Sequence, residues 1–317
     1  MRIPRVMAVM PQRCAVVDLG SNTAKLLVAD VTPEGITKVC LELSLPCRLG
    51  LGLDASGLIA DKSLERLLDV VGELVSTAKA EGAGRIAAVA TSALRSAKNG
   101  RDVVAAVIER HRVTIEVLGG DEEAGGILRG VMSDPFFRHR RLLVMDLGGG
   151  SAEWIESDPG APPRQLSVEV GCVRMSERFP TDHPIKAEQR SSLELFLMGE
   201  LRHRLSGFSA AGRTMVLSGG TACALAALRE PGFLERKNAG GRAHLSIGEA
   251  SALVDELAKQ SLAEIEAHPE MPPQRADVIV AGGITILTAL GILGASEFYV
   301  SRRSLRYGRL MDMAKEA

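Results

Sequence analysis

A carboxylate followed at once by a glycine turn occurs twice in this sequence, as Asp18-Leu19-Gly20-Ser21-Asn22 and as Asp146-Leu147-Gly148-Gly149-Gly150-Ser151. Each follows a short apolar run, Cys14 to Val17 and Leu142 to Met145, that reads as a buried strand closing in a turn. Gly20, Gly148, Gly149 and Gly150 leave backbone N–H groups free to surround a phosphate oxygen without side-chain interference. Ser21, Asn22 and Ser151 add side-chain donors. Asp18 and Asp146, at strand ends, are placed to orient Mg²⁺ or its waters. One such hairpin is only a tight turn, but two with Asp in the same place predict phosphate binding.

Cleaving a phosphoanhydride also needs a carboxylate that orients and deprotonates water. Gly119-Gly120-Asp121-Glu122-Glu123-Ala124 offers three acids between a strand and a helix. First-turn acids complement the helix dipole, which accounts for Asp121 and Glu122 without any chemistry. The residues alone leave the choice among the three open. Glu153 lies just beyond the second turn, where strand alternation decides whether it faces the same site. Arg95 and Lys98 could clamp a phosphate. The blocks Arg138 to Arg141 and Arg302, Arg303, Arg306, Arg309 are candidate tracks for a long anion, against the plainer reading of solvated charge. The six histidines show no metal-ligand spacing.

These loops need elements to hold them, and the spacing says which. A strand-like Ile86 to Ala90 ends at Thr91-Ser92; Met215 to Leu217 ends at Ser218-Gly219-Gly220-Thr221. Thr91 lies 73 positions after Asp18, and Ser218 lies 72 after Asp146. Two motifs recurring at one offset predict a duplicated α/β domain whose loops face one cleft. The expected division is 1–132 and 133–317, with a basic crossover at 133–141. Helices are expected over 62–81, 102–110, 188–205, 247–267 and 284–293, and strands over 113–118, 278–281 and 297–300.

The bulk properties agree. The length of 317 residues suits two domains, and few aromatics (3%) imply a core of Val, Leu, Ile and Ala, as in parallel sheets covered by helices. A net charge of −1 provides no global field for nucleic acid. The five cysteines lack disulfide or metal spacing and read as reduced thiols. No apolar run spans a bilayer, and 1–9, broken by Arg2, Pro4 and Arg5, is a poor signal peptide. A cytoplasmic protein with no membrane or nucleic-acid partner is expected.

The chain resembles the exopolyphosphatase / guanosine pentaphosphate phosphohydrolase (Ppx/GppA) family, in its short two-domain form. The matching strings are Asp18 to Asn22, Thr91 to Asn99, Gly120 to Ala124, Asp146 to Glu153, Ser218 to Thr221, and Arg275 to Gly282, in family order. The resemblance implies the actin-like, sugar-kinase-like (ribonuclease H-like) fold. It implies Glu123 as the catalytic base, Arg95 on the terminal phosphate, and Asp146 and Glu153 on Mg²⁺. Phosphate contacts would come from Asp18, Gly20, Ser21, Asn22, Gly148, Gly149, Gly150, Ser151, Ser218, Gly219, Gly220 and Thr221. Implied substrates are inorganic polyphosphate or guanosine pentaphosphate, with a homodimer possible and the last helix, within 304–317, packing on the N-terminal domain. A non-catalytic polyphosphate or alarmone binder is the other outcome. Gly119, Ala152, Gly125 and Tyr307 depart from the family pattern, which has Ser, Thr, Arg and Glu there.

Overall fold

The structure is a computed structural model that describes residues 10–179, 182–236 and 241–316; the 1–9 run considered above lies outside them. The first half runs β1 (Gln12–Leu19), β2 (Thr23–Thr32), β3 (Gly35–Pro46), α1 (Leu53–Ser56), α2 (Asp61–Ala80), β4 (Arg85–Ala90), α3 (Ser92–Ser96), α4 (Gly100–His111), β5 (Ile115–Val117) and α5 (Gly120–Met132). The second runs β6 (Leu142–Leu147), β7 (Ala152–Ser157), β8 (Arg164–Val168), α6 (Cys172–Arg178), α7 (Ala187–Arg204), β9 (Thr214–Ser218) and α8 (Gly220–Arg229). It closes with β10 (Arg242–Ser246), α9 (Ile247–Leu257), α10 (Leu262–Glu266), α11 (Ile279–Leu293), β11 (Glu297–Ser301) and α12 (Leu305–Lys315).

Two sheets result, ordered β3-β2-β1-β4-β5 and β8-β7-β6-β9-β11-β10. In both, the strand that ends in Asp-Leu-Gly pairs antiparallel with the next strand and parallel with the strand leading to the second loop. The duplication is therefore one of topology, and it places all four loops at the carboxyl ends of the central parallel strands. This is the duplicated actin-like fold. β1 and β6 are almost wholly buried, as strands covered on both faces must be.

α12 packs on α5 and against β1, β2 and β3, and an apolar cluster including Val16, Ile127, Val144 and Leu310 joins residues of both sheets. Direct bonds also cross the cleft: Arg48 Nη1 meets Asp277 at 2.6 Å, Arg174 pairs with Asp54, and the Asn22 amide donates to the Gln274 carbonyl at 2.9 Å. Among the described residues no helix is long and apolar enough to cross a membrane.

Two expected elements differ. The strand at 278–281 is the first turn of α11, because an apolar run of four cannot be told from a buried helix by periodicity. The single helix at 247–267 is two, since Ser261 caps a fresh start: its hydroxyl accepts from the Glu264 N–H at 3.3 Å, and Glu264 accepts from the Ser261 N–H at 2.8 Å.

Candidate functional site

The β1 and β6 turns meet in one cavity of about 310 Å³. Asp18, Gly20, Ser21, Asn22, Asp146, Gly148, Gly149, Gly150, Ser151, Gly219 and Gly220 line it, with Thr91, Ser92 and Glu123. The two turns touch: a Cβ on Gly149 would lie 3.0 Å from Ser21 Cβ and 3.2 Å from the Asn22 backbone nitrogen, so glycine suits this close approach. Ser218, Thr221, Arg95 and Glu153 do not reach the cavity surface.

Each of these four has another position. Ser218 donates to Asp146 Oδ2, as does Ser304 from the loop before α12. The other oxygen of Asp146 has no partner among the described residues. Thr221, buried in the first turn of α8, has its hydroxyl without a partner among the described residues. Glu153 stands opposite Asp146 in the β6–β7 ladder, so the two share one face of the sheet. Its Oε1 accepts from Ser151 at 2.7 Å and Ser167 at 2.8 Å. Burial, then the charges of Glu123 and Asp146, push its carboxyl well above the usual range.

The three acids at α5 separate. Glu122 Oε2 accepts from the Gly119 N–H at 2.7 Å and caps the helix, while Asp121 is exposed. Glu123 alone turns inward, 8% exposed. Arg95 Nη1 donates to Glu123 Oε2 at 2.8 Å and also to the Leu118 carbonyl, so here it orients the carboxylate. Burial raises Glu123 to about 7, although Arg95 draws it down.

Some cavity residues were not assigned a role from sequence. Lys25 faces Asp18 across the β1–β2 ladder, at the place Glu153 holds opposite Asp146. Neither the Lys25 nor the Asp18 side chain forms a hydrogen bond or ion pair with a described residue. Both open partly to the cavity yet are deeply enclosed, and burial lowers the Lys25 ammonium and raises the Asp18 carboxyl. Arg275, 5% exposed, lies against Gly220 and among the described residues has only the Cys172 sulfur, at 3.8 Å, as a side-chain partner. A lysine inside the apolar run of β2 was the available signal for Lys25; Arg275 stood in a matching string without a role. Glu42 and Ser304 carried no signal. Of the basic tracks, Arg302 and Arg306 line the cavity, whereas Arg303 binds the Ser133 carbonyl, Arg309 pairs with Glu116 and Arg141 with Asp158. Lys98 packs its side chain near Gly57, outside the cavity.

Fold and cavity together define a two-sheet protein of the actin-like class whose glycine turns close on an inward acid. The chain belongs to the Ppx/GppA phosphatase family, whose model matches residues 27–317. It is similar to exopolyphosphatase 1 of Mycobacterium tuberculosis, 31% identical over 195 residues, which is 60% of this chain and only 55% of that protein. Exopolyphosphatase 1 of Mycobacterium leprae is 28% identical over 94% of this chain and 88% of its own length. Among solved structures, an exopolyphosphatase from Cytophaga hutchinsonii superposes with a TM-score of 0.86 at 25% identity, covering 96% of this chain and 99% of that one. The Aquifex aeolicus Ppx/GppA family member gives 0.77 at 25% identity, over 96% and 98%.

Proposed function

We propose that this protein is an exopolyphosphatase that hydrolyses the terminal phosphoanhydride of inorganic polyphosphate and releases orthophosphate. The observation that carries the reading is the convergence, in one cavity, of two glycine turns, two cations without carboxylate partners among the described residues (Lys25 and Arg275) and an inward glutamate whose burial raises it to about 7. A buried guanidinium without a counter-ion is costly, and a phosphate group supplies one.

In this reading the turn N–H groups, with Ser21, Asn22 and Ser151, hold the terminal phosphate. Glu123, fixed by Arg95, takes the proton of the attacking water. A base with a pKa close to 7 is well matched to that transfer at neutral pH. Lys25 and Arg275 balance charge on the phosphate oxygens.

A divalent cation fits the donor set. Among the described residues no three His, Cys, Asp or Glu groups form an all-protein cage, and Mg²⁺ needs none, since it takes one or two carboxylates and fills its shell with water and phosphate oxygens. The open oxygen of Asp146 would hold it, with Glu153 and Asp18 adjusting the charge around it. Bound there, Mg²⁺ would neutralise developing charge on phosphate.

Purified protein with polyphosphate and Mg²⁺ is expected to release orthophosphate, and Glu123→Ala to abolish release. Full activity in that variant would remove Glu123 as the base. Apolar Leu43, Leu234 and Pro272 on the cavity wall favour a second reading, guanosine pentaphosphate 5′-phosphohydrolase. Rates on short polyphosphate, long polyphosphate and guanosine pentaphosphate at matched concentrations rank the two.

A further inference from the structure

One wall of the cavity is built differently from the turns. Arg302 follows β11 and Arg306 lies in the first turn of α12; their side chains are 16% and 14% exposed. Backbone carbonyls anchor both guanidiniums: Arg302 Nη1 donates to the Arg236 carbonyl at 2.7 Å, and Arg306 Nη1 to the Leu26 carbonyl at 2.8 Å. Each Nη2 then reaches the same oxygen, Glu42 Oε2 on β3, at 3.5 Å. The other oxygen, Oε1, accepts the Tyr307 hydroxyl at 2.6 Å.

This arrangement leaves binding capacity unused. Charge-assisted N–H···O bonds close to about 2.8 Å, so both ion pairs at 3.5 Å are long ones. One carboxylate faces two guanidiniums, and Tyr307 occupies the oxygen that would have allowed a bidentate pair with either. The wall therefore keeps a net positive charge in a half-buried setting, and both arginines line the cavity. A linear chain of phosphates has the charge density to meet two such cations and to compete with the single long Glu42 contact that each makes.

We propose that Arg302 and Arg306 form a second anion subsite, which holds phosphates of the chain that stay behind when the terminal one leaves. Tyr307 and Glu42 are positioning residues: the hydroxyl fixes the carboxylate, and the carboxylate holds two guanidiniums from separate elements at one wall. The subsite rests on the polyphosphate reading above and deepens it. It assigns affinity for the chain to this wall and the cut itself to the Glu123 side.

The test uses long-chain inorganic polyphosphate with the full-length protein. Arg302→Gln is expected to raise KM and the calorimetric Kd for the chain about tenfold, the effect of losing a hydrogen bond to a charged group, with a much smaller fall in kcat. Tyr307→Phe keeps the ring and every charge and loses only the O–H; it is expected to raise KM about threefold. Arg302→Lys, which restores charge without the fork, should recover only part of the loss. Thermal unfolding is followed for each variant, and if Arg302→Gln does not fold, Tyr307→Phe decides. Wild-type KM and Kd in Tyr307→Phe and in a folded Arg302→Gln would overturn the subsite, as would a loss confined to kcat. If the wild-type protein releases no phosphate, the hydrolase reading fails, while the Kd values still decide whether this wall binds the chain.

Discussion

At the scale of single residues, Glu123 carries the sharpest consequences. Its neutral form is favoured by burial, and its ionised form is the one a base needs. kcat/KM for polyphosphate should therefore climb with pH and level off above about 7, the value to which burial raises this group. Because Arg95 draws that value down, Arg95→Gln should move the limb to higher pH. A rise in KM with the limb unmoved would show instead that Arg95 acts on phosphate alone. Linkage runs the opposite way to activity: the contribution of neutral Glu123 to stability is complete below its ordinary value of about 4.5 and fades as pH rises through about 7. The residues alone showed an acid at this junction, and only the family resemblance singled out Glu123, because three adjacent carboxylates differ only in direction. Helix geometry turns them roughly 100° apart per residue, sending one to the cap, one to solvent and one inward.

At the scale of elements, the loops were legible and the pairings were not. Asp-Leu-Gly after an apolar run names the end of a buried strand from local chemistry alone. That Lys25 stands across from Asp18, and Glu153 across from Asp146, depends on hairpin register, which a reading of single strands does not supply. Arg275 was invisible as a ligand for a related reason: it comes from the segment before α11, far in sequence from the Gly220 turn it lies against. Helix starts show the opposite case, since their signals are local. Ser246 accepts from the Glu249 N–H at 3.2 Å, and Glu249 accepts from the Ser246 N–H at 2.9 Å, a complete capping box for α9. Ser246→Ala should cost about 1 kcal/mol in a urea unfolding titration. The Ser246 N–H, the Arg229 guanidinium and the Ser246 hydroxyl together hold the Glu249 carboxyl at about 2, so its contribution is present above its ordinary value near 4.5 and is lost only as pH falls toward 2. A Ser246→Ala midpoint equal to wild type at pH 7 would show that packing alone sets the start of α9.

At the scale of the whole molecule, duplication makes the cleft, but one helix pair ties its two sides together. α5 carries Glu123 at its first turn; α12 follows Ser304, which binds Asp146, and carries Arg306. The two helices cross at glycines: a Cβ on Gly308 would lie 1.9 Å from the Gly126 carbonyl oxygen, and one on Gly130 1.9 Å from the Ser304 carbonyl oxygen. Backbone cannot yield as a side-chain tip can, so Gly308→Ala must separate the helices. The expected cost is about 3 kcal/mol or more, read as a fall in the urea midpoint at an unchanged slope. Gly199→Ala, on α7 with nothing within 4 Å of the added methyl, is the matched control and should instead gain about 0.5–1 kcal/mol. Because the same crossing sets Glu123 against Asp146 and Arg306, folded Gly308→Ala protein should also release phosphate far more slowly than wild type. Wild-type stability and turnover in that variant would mean that the helices can part without disturbing the cavity, and that the two sheets alone hold it.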